Sequence, residues 1–253
     1  MERNTKIIAV VGKGGVGKTT LSSAFVRLLT ERYPDKRILA IDADPAVGLA
    51  TALGARVGTT LDDLRQSIIE HAENGRNRDA IELLGEARYR IFDVLSEEDN
   101  YTFLAIGRPE GAGCYCKVNA YLKEVIAMVG REFDFVVIDG EAGIEQVNRR
   151  VMEKVTHLVL VSDASKKGIR VAETIRGVAD ELVMYEKCGL IINRLENMDL
   201  APFLQTENTP ILSVIPSDAA HAANDIMGRT IFELEADAPV LRGAAEALEK
   251  LGL

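Results

Sequence analysis

Seven short apolar segments, rich in valine and isoleucine, recur along the chain between longer segments with helical spacing. Each is apolar almost throughout, which is typical of strands covered by helices on both faces of a parallel sheet. The pattern predicts an α/β fold with a doubly wound, mostly parallel sheet and right-handed crossovers. The predicted strands are Lys6–Val11, Arg37–Ile41, Tyr101–Ile106, Phe133–Ile138, His157–Val161, Gly189–Ile192 and Ile211–Ile215.

The longer segments that separate these strands predict helices that pack on the sheet. No repeat, low-complexity tract or linker divides the chain, so we expect a single domain over residues 1–253. The region 60–98 is longer than a plain crossover and mostly helical in pattern, which indicates an inserted helical subregion. The predicted helices are Lys18–Arg32, Leu61–Ala72, Asp79–Ala87, Val118–Arg131, Ile144–Lys154, Ile169–Tyr185 and Pro239–Leu251.

Charge and composition narrow the function classes. The chain carries 30 basic and 39 acidic side chains, a formal net charge of −9, without a dense block of lysine and arginine. Because duplex binding is driven by neutralisation of phosphates, we do not expect nucleic acid as a partner. The chain starts with a polar segment, and no apolar run is long enough to span a bilayer. With three cysteines and no export signal, a cytoplasmic protein with reduced thiols and no membrane partner is expected.

The strongest chemical signal is a glycine-rich segment between the first predicted strand and the first predicted helix. It matches G-x-x-x-x-G-K-[ST], the phosphate-binding loop of P-loop NTPases. Glycines let several backbone N–H groups face one anion, and the following helix adds its positive end. We expect Lys18 to neutralise the outer phosphates and the Thr19 hydroxyl to ligate Mg²⁺. The predicted binding residues of this loop are Gly12, Lys13, Gly14, Gly15, Val16, Gly17, Lys18, Thr19 and Thr20.

Acidic residues follow two of the predicted strands, at the sheet edge where this architecture binds ligands. Asp139 follows the fourth strand and is placed to hold the Mg²⁺ shell, and Asp42, after the second strand, would support the metal. A helix cap is the alternative for such an aspartate, and it is most credible for Asp42. Gly143, just after Asp139, would offer its N–H to the γ-phosphate and so couple the loop to the nucleotide.

A second lysine in the phosphate loop, Lys13, is not needed to bind nucleotide and by itself is most simply an exposed loop residue. However, the sequence G-K-G-G-x-G-K-[ST] resembles the deviant Walker A loop of the superfamily that contains nitrogenase iron proteins and the partition and division-site ATPases. That resemblance implies a homodimeric ATPase in which this lysine reaches the partner's nucleotide. It makes Lys13, Lys18 and Asp44 the catalytic candidates, with Asp44 orienting the attacking water.

The same resemblance places the nucleobase near the ends of two late strands. It assigns base contacts to Asn193, Pro216 and Asp218, although each could by itself be a turn or a cap. No Asn-Lys-x-Asp guanine signature is present, which favours ATP over GTP.

A pair of cysteines, Cys114 and Cys116, follows a predicted strand and three small residues. Two thiolates at this spacing can face one soft metal, and a two-fold dimer would supply the four that Zn²⁺ or Ni²⁺ usually takes. Buried packing cysteines and a redox pair are the alternatives that these residues leave open. The third cysteine, Cys188, has no neighbouring ligand in the sequence and is expected in the core.

Taken together, the deviant loop, the Asp-Ala-Asp-Pro segment, the C-x-C pair and the D-G-E-A-G-I-E segment that begins at Asp139 resemble CooC, the family of nickel-insertion accessory ATPases of carbon monoxide dehydrogenase. The resemblance covers nearly the whole chain. It implies an ATP-hydrolysing metallochaperone with ATP, Mg²⁺ and Ni²⁺ or Zn²⁺ as cofactors, the metal lying between paired cysteines of a homodimer. The implied client is a nickel carbon monoxide dehydrogenase or an acetyl-CoA synthase.

Two other functions fit parts of this pattern. A positioning or partition ATPase would share the nucleotide switch and have no role for metal. An iron–sulfur reductase similar to nitrogenase iron protein would need a second cluster cysteine within Gly140–Glu145, and that segment contains none.

Overall fold

The structure is a computed structural model that describes residues 5–44, 46–73, 90–107, 124, 126–140 and 154–253. Eight strands within these ranges form one sheet. Their bounds are β1 (Lys6–Gly12), β2 (Ile38–Asp42), β3 (Leu95–Glu97), β4 (Thr102–Ala105), β5 (Phe135–Asp139), β6 (His157–Ser162), β7 (Lys187–Leu195) and β8 (Ile211–Pro216).

The sheet has the strand order β3-β4-β2-β5-β1-β6-β7-β8. All neighbouring strands are parallel except β3, which pairs antiparallel with β4 at one edge. This confirms the doubly wound, mostly parallel α/β fold, with each of the seven predicted strands in place. The eighth strand, Leu95–Glu97, differs from prediction, since it lies in the region that was expected to be mostly helical.

Helices cover both faces of the sheet. The described α-helices are α1 (Lys18–Arg32), α2 (Gly48–Leu53), α3 (Leu61–Glu73), α4 (Lys166–Leu182), α5 (Ala219–Ile226) and α6 (Pro239–Leu251). Short 3₁₀ segments occur at Ile91–Val94, Met198–Phe203 and Ile231–Glu233. The sequence pattern did not predict α2 and α5, and it began α4 three residues late.

Alternation along the central strand separates two apolar layers. Ile8 and Val10 of β1 pack into the layer that contains α1 and α6, whereas Ala9 and Val11 pack into the layer that contains α3 and α4. All four side chains are fully buried. The near-continuous hydrophobicity of the strand therefore reflects cover on both faces, as the sequence indicated.

Several predicted features lie outside the described residues. They include the helix Asp79–Ala87, half of the helix Val118–Arg131, most of the helix Ile144–Lys154, and the site residues Cys114, Cys116 and Gly143. The single domain with a helical insertion at 60–98 thus stays a prediction. Across the described ranges, none of the helices is long and apolar enough to cross a membrane.

Candidate nucleotide-binding site

The glycine-rich loop joins β1 to α1 at the carboxyl edge of the sheet and is packed tightly against neighbouring strands. A Cβ atom at Gly12 would lie 2.2 Å from the main-chain oxygen of Val161 in β6. Gly17 has a φ of +92°, and a Cβ there would lie 2.4 Å from the side-chain nitrogen of Asn193. Both positions require glycine, because no side chain fits between the loop and the strands that support it.

Asn193, at the end of β7, braces this loop. Its Nδ2 donates to the main-chain oxygen of Val16 at 2.9 Å, and its Oδ1 accepts from the N–H of Arg194 at 3.0 Å. Arg194 takes a left-handed φ of +60° and donates from its guanidinium to the main-chain oxygen of Gly15 at 3.0 Å. The residue predicted to contact the base thus also fixes the shape of the loop.

The two lysines of the loop occupy different environments. Lys18, at the start of α1, is 8% exposed, and its Nζ donates to the main-chain oxygen of Lys13 at 3.3 Å. The side chain of Lys13 is exposed. One lysine is therefore enclosed by the loop, and the other projects from its surface.

Asp139, the last residue of β5, lies next to the start of α1. Its carboxylate accepts hydrogen bonds from the hydroxyls of Thr19 at 2.7 Å and Ser22 at 2.9 Å. The side chain is 1% exposed, and burial raises the pKa of Asp139 to about 6 even though these hydroxyls and Lys18 oppose the shift. The predicted Mg²⁺ ligands Thr19 and Asp139 are thus hydrogen-bonded to each other.

Asp42 ends the neighbouring strand β2 and is fully buried. Its Oδ1 accepts from the N–H of Asp44 at 3.1 Å, and its Oδ2 accepts from the N–H of Leu49 in the first turn of α2 at 2.8 Å. Burial, with the charge of Asp139 as a second cause, raises the pKa of Asp42 to about 7. Asp42 therefore caps helix α2, as the alternative reading of this residue stated. A role in supporting the metal stays a prediction.

Asp44 lies at the same edge and is half-buried. Its Oδ1 accepts from the N–H of Ala46 at 2.9 Å, an arrangement that holds the loop after β2 in a turn. The residue is close enough to Asp139 to add to the upward pKa shift that burial produces there. Among the described residues, no group donates a hydrogen bond to its other carboxylate oxygen.

These residues suit a hard divalent cation. Thr19, Asp42 and Asp139 offer only oxygen donors, which Mg²⁺ prefers. Two buried carboxyls with raised pKa values also form a site in which an added positive charge would favour the ionised forms. The donor set therefore fits the metal that accompanies a nucleotide.

A cavity of about 530 Å³ opens beside the first turn of α1. Asn193, Pro216 and Asp218, the predicted base contacts, all line it. One oxygen of Asp218 is already used as the cap of α5, since it accepts from the N–H groups of Ala220 at 2.9 Å and His221 at 3.2 Å. The structure thus brings the three residues together around a space adjacent to the phosphate loop.

Three residues with contacts at this site were missed by the sequence reasoning. Ser22 is three residues after Thr19, hence on the same helix face, and that spacing could have revealed it. Asp163, after β6, has its pKa lowered by the hydroxyl of Ser165 and further by the charge of Lys13. His221 lines the cavity, and its buried Nδ1 has no hydrogen-bond partner among the residues that the structure describes.

The predicted soft-metal site is not among these contacts. Cys114 and Cys116 lie outside the described residues, and the described ranges contain no group of three or more His, Cys, Asp or Glu that could hold a metal ion. Cys188, in β7, is half-buried, and burial raises the pKa of its thiol to about 12. A thiol that stays protonated is a poor metal ligand, which agrees with its predicted structural role.

A comparison with known protein families agrees with the geometry, since both indicate a nucleotide-binding domain. The model of the CobQ/CobB/MinD/ParA nucleotide binding domain family matches residues 7–231. The chain belongs to this family. It is accordingly a P-loop ATPase, with its phosphate loop within the matched part.

Two curated proteins are similar along nearly the whole chain. An uncharacterized ATP-binding protein of Methanocaldococcus jannaschii is 34% identical over 249 residues, which cover 97% of this chain and 98% of that protein. The carbon monoxide dehydrogenase accessory protein CooC of Rhodospirillum rubrum is 29% identical over 255 residues, covering 95% of this chain and 94% of that protein.

Among solved structures, the septum site-determining protein MinD of Pyrococcus horikoshii in complex with Mg-ADP has a TM-score of 0.68. It is 20% identical, and the match covers 98% of this chain and 96% of that one. At this identity the likeness establishes the fold.

Proposed function

We propose that this ATPase is a metallochaperone: it hydrolyses ATP, carries Ni²⁺ or Zn²⁺ between the subunits of a homodimer, and assists nickel insertion into carbon monoxide dehydrogenase or a related nickel enzyme. The observation that carries the proposal is the Cys114-x-Cys116 motif in a chain that matches the CooC protein over 95% of its length. Nucleotide binding does not use these two thiols, so the proposal assigns them a separate role as metal ligands.

In this proposal the phosphate loop and the two strand-end carboxylates bind Mg-ATP. Lys18 neutralises the outer phosphates, while Thr19 and Asp139 hold the magnesium shell. Support comes from the enclosed position of Lys18 and from the paired hydrogen bonds at Asp139. Asp44 orients the attacking water through the carboxylate oxygen that does not bond to Ala46, and Gly143 donates its N–H to the γ-phosphate.

Dimer formation is proposed to depend on Lys13. Its side chain is exposed while its main-chain oxygen stays bound to Lys18, so it is free to reach a second nucleotide without loss of the loop shape. An additional cation at the transferred phosphoryl group would stabilise the charge that develops there. The closed dimer brings Cys114 and Cys116 together with the same pair from the partner subunit.

A positioning or partition switch is the second candidate, because the family model includes MinD and ParA. It requires a surface for a membrane or for DNA. The net charge of −9 disfavours DNA, and the apolar side chains of α6, among them Leu241 and Leu248, are already buried against α1 and β8. Metal binding that depends on the cysteines distinguishes the two functions.

The experiment is a metal titration of the parent, Cys114→Ser and Cys116→Ser, with oligomeric state followed by size-exclusion chromatography with and without ATP. We expect about one Ni²⁺ or Zn²⁺ per dimer in the parent, since four thiolates complete the coordination. Either substitution should abolish tight metal binding and leave nucleotide affinity of the monomer unchanged. Because the thiols must lose protons, metal affinity should fall as the pH is lowered.

Cys188→Ser is the matched control. Its raised pKa and half-buried position predict that metal stoichiometry and affinity stay at the parent value. Tight metal binding that survives the Cys114→Ser, Cys116→Ser double substitution would refute the proposal, as would one full metal per monomer in the parent.

A further inference from the structure

The cavity beside the phosphate loop has the size and the position of a nucleoside site. Its volume of about 530 Å³ is within the range of pockets that enclose small ligands. Thr20, in the first turn of α1, lines it, and so does Asn193, whose Nδ2 donates to the main-chain oxygen of Val16 in the loop. A nucleotide whose phosphates lie in the loop can therefore extend its base into this cavity.

Several polar side chains on the cavity walls are hydrogen-bonded within the chain. The Oδ1 of Asn193 accepts from the N–H of Arg194 at 3.0 Å, so both ends of its amide are used. The guanidinium of Arg194 donates to the main-chain oxygen of Gly15 at 3.0 Å. The hydroxyl of Ser217 donates to Glu196 at 2.8 Å. These contacts fix the shape of the cavity walls.

His221, in the first turns of α5, differs from these residues. Its side chain lines the same cavity, and its Nδ1 is buried without a hydrogen-bond partner among the residues that the structure describes. Its main-chain N–H donates to the cap residue Asp218 at 3.2 Å, which holds the backbone in place. Because buried polar atoms are nearly always paired in native proteins, an unpaired nitrogen at a cavity wall indicates that a ligand supplies the partner.

The wall around His221 is rich in hydrogen-bond acceptors. Asp218 and Asp225, which precede and follow it in the chain, also line the cavity, and an ionised carboxylate accepts hydrogen bonds without donating any. A base that presents an amino group to this wall finds acceptors. A base with a carbonyl oxygen in the same place would face other acceptors and lose its hydrogen bonds to water.

From these observations we infer that His221 selects adenine, its Nδ1 accepting a hydrogen bond from the 6-amino group of the base. The neutral ring does so in the tautomer that carries its proton on Nε2. Guanine and hypoxanthine carry a carbonyl oxygen at this position and have no hydrogen to offer there. The inference concerns recognition of the nucleotide and does not depend on the metal role proposed above.

The test is isothermal titration of the full chain, in the presence of Mg²⁺, with three diphosphates that differ at position 6 of the purine. ADP has an amino group there, purine riboside diphosphate a hydrogen atom, and IDP a carbonyl oxygen. In the parent we expect ADP to bind at least about tenfold more tightly than purine riboside diphosphate, and IDP to bind most weakly.

Substitutions of the ring separate the hydrogen bond from packing. In His221→Ala the ratio of ADP to purine riboside affinity should fall to within about twofold of one, while purine riboside affinity stays within about threefold of the parent. His221→Asn places an amide group where Nδ1 lies and should keep most of the ratio. His221→Gln places the amide where Nε2 lies and should behave as His221→Ala does.

Asn224→Ala is the matched control on the same helix. Asn224 lines a neighbouring cavity of about 30 Å³ and is not among the residues that line the larger one, so the ratio should stay at the parent value. A ring that serves only to pack the cavity wall would behave differently, since its loss would weaken all three diphosphates by the same factor.

Three results would overturn the inference. The first is a parental ratio in His221→Ala, which would place the Nδ1 partner in the smaller cavity, since His221 lines that cavity too and it is large enough for one water. The second is a ratio near one in the parent. If His221→Ala does not fold, equal ratios in His221→Asn and His221→Gln are the third. The metal proposal is unaffected by each of these, because the cysteine variants decide it.

Discussion

The two edges of this sheet use buried polar groups in opposite ways. At the carboxyl edge, Lys18, Asp42 and Asp139 are buried together, and burial raises the pKa values of the two carboxyls to about 7 and about 6. At the amino edge His157 is also buried, but there burial lowers its pKa to about 4, so the ring is neutral at physiological pH. One edge is a cluster of charges, and the other is an uncharged network.

The uncharged network is complete within the chain. The hydroxyl of Thr156 accepts from the N–H of Ile7 at 2.7 Å and lies 2.7 Å from Nδ1 of His157, and the ring also bonds to the main chain at Leu251. The carboxyl edge keeps an imbalance of charge: the charge of Asp139 adds to the effect of burial on the pKa of Asp42, and burial keeps the pKa of Asp139 raised despite Lys18. Buried polar groups that satisfy one another stabilise a fold, whereas unbalanced buried charge marks a place for a ligand.

Removal of the enclosed cation should give the largest difference between the edges. Lys18→Ala deletes the charge that faces the phosphates, and we expect nucleotide affinity to fall at least about 100-fold, the loss typical of a buried charged partner. Lys36→Ala, which removes an exposed lysine paired with Asp134 at the opposite edge, should leave affinity unchanged. Isothermal titration of both variants checks this, and equal losses would mean that the charge cluster is not the phosphate site.

Lys13→Ala tests the difference between the two lysines of the phosphate loop, the exposed Lys13 and the enclosed Lys18. Because the main-chain oxygen of residue 13 still accepts from Lys18, nucleotide affinity of the monomer should stay within about threefold of the parent. Hydrolysis should fall about 100-fold, and the ATP-dependent dimer should be lost, since the exposed side chain acts on a second nucleotide. Turnover and size-exclusion runs with ATP test this, and a parental rate would exclude the proposed dimer mechanism.

The pH dependence of unfolding should separate the edges with smaller effects. Asp42 has a folded pKa above its unfolded value, so its stabilising contribution is fully present only below about pH 4 and is lost progressively as the pH rises from there through about 7. His157 has a folded pKa below its unfolded value, so its contribution is present above about 6.5 and lost as pH falls toward 4. Between pH 6.5 and 8.5 the nucleotide-free protein should lose about 0.8 kcal/mol through Asp42, which is the last part of a loss that begins near the unfolded pKa.

Denaturant unfolding across this window is the measurement. Asp42→Asn should remove the loss of stability with rising pH both above and below pH 6.5, and the loss toward pH 4 that His157 causes should remain. Mg-nucleotide should also flatten it, since a bound cation favours the ionised carboxyl. A slope above pH 6.5 that persists in Asp42→Asn would assign the titration to another group.

The sequence predicted those elements whose pattern is contained in a short, continuous stretch of residues. The seven long strands were readable because each is an uninterrupted apolar run. The strand Leu95–Glu97 was not, since three residues at an antiparallel edge, none of them buried, carry no pattern. Helix α4 begins at Lys166 because Ser165 caps it by accepting from the N–H of Gly168, ahead of the first apolar residue that marks the helical repeat.

Helix α2 shows why some elements escape pattern reasoning. It starts at Gly48 after a left-handed Val47, and no neighbouring side chain caps it. The cap comes from Asp42, which reaches Leu49 from the preceding strand. A cap that arrives from another element cannot be recognised in a short window of sequence.

The same distinction applies to the candidate site. The phosphate loop and the strand-end acids were found because their spacing is contained in short motifs. The brace from Asn193 to Val16 and the proximity of Asp163 to Lys13 depend on strand pairing between distant segments. These two contacts could be found only from the three-dimensional structure.

The central place of β1 in the sheet has a consequence for synthesis of the protein on the ribosome. This strand is made before its two partners, β5 and β6, and the loop that follows it is braced by Asn193, later still. Strand pairing between residues so far apart in the sequence is slow. Strand β1 therefore stays without its partner strands until β5 and β6 have been synthesised. A nascent chain therefore contains the phosphate motif long before it contains a phosphate site, and ATP can assist folding only after residue 193 has been made.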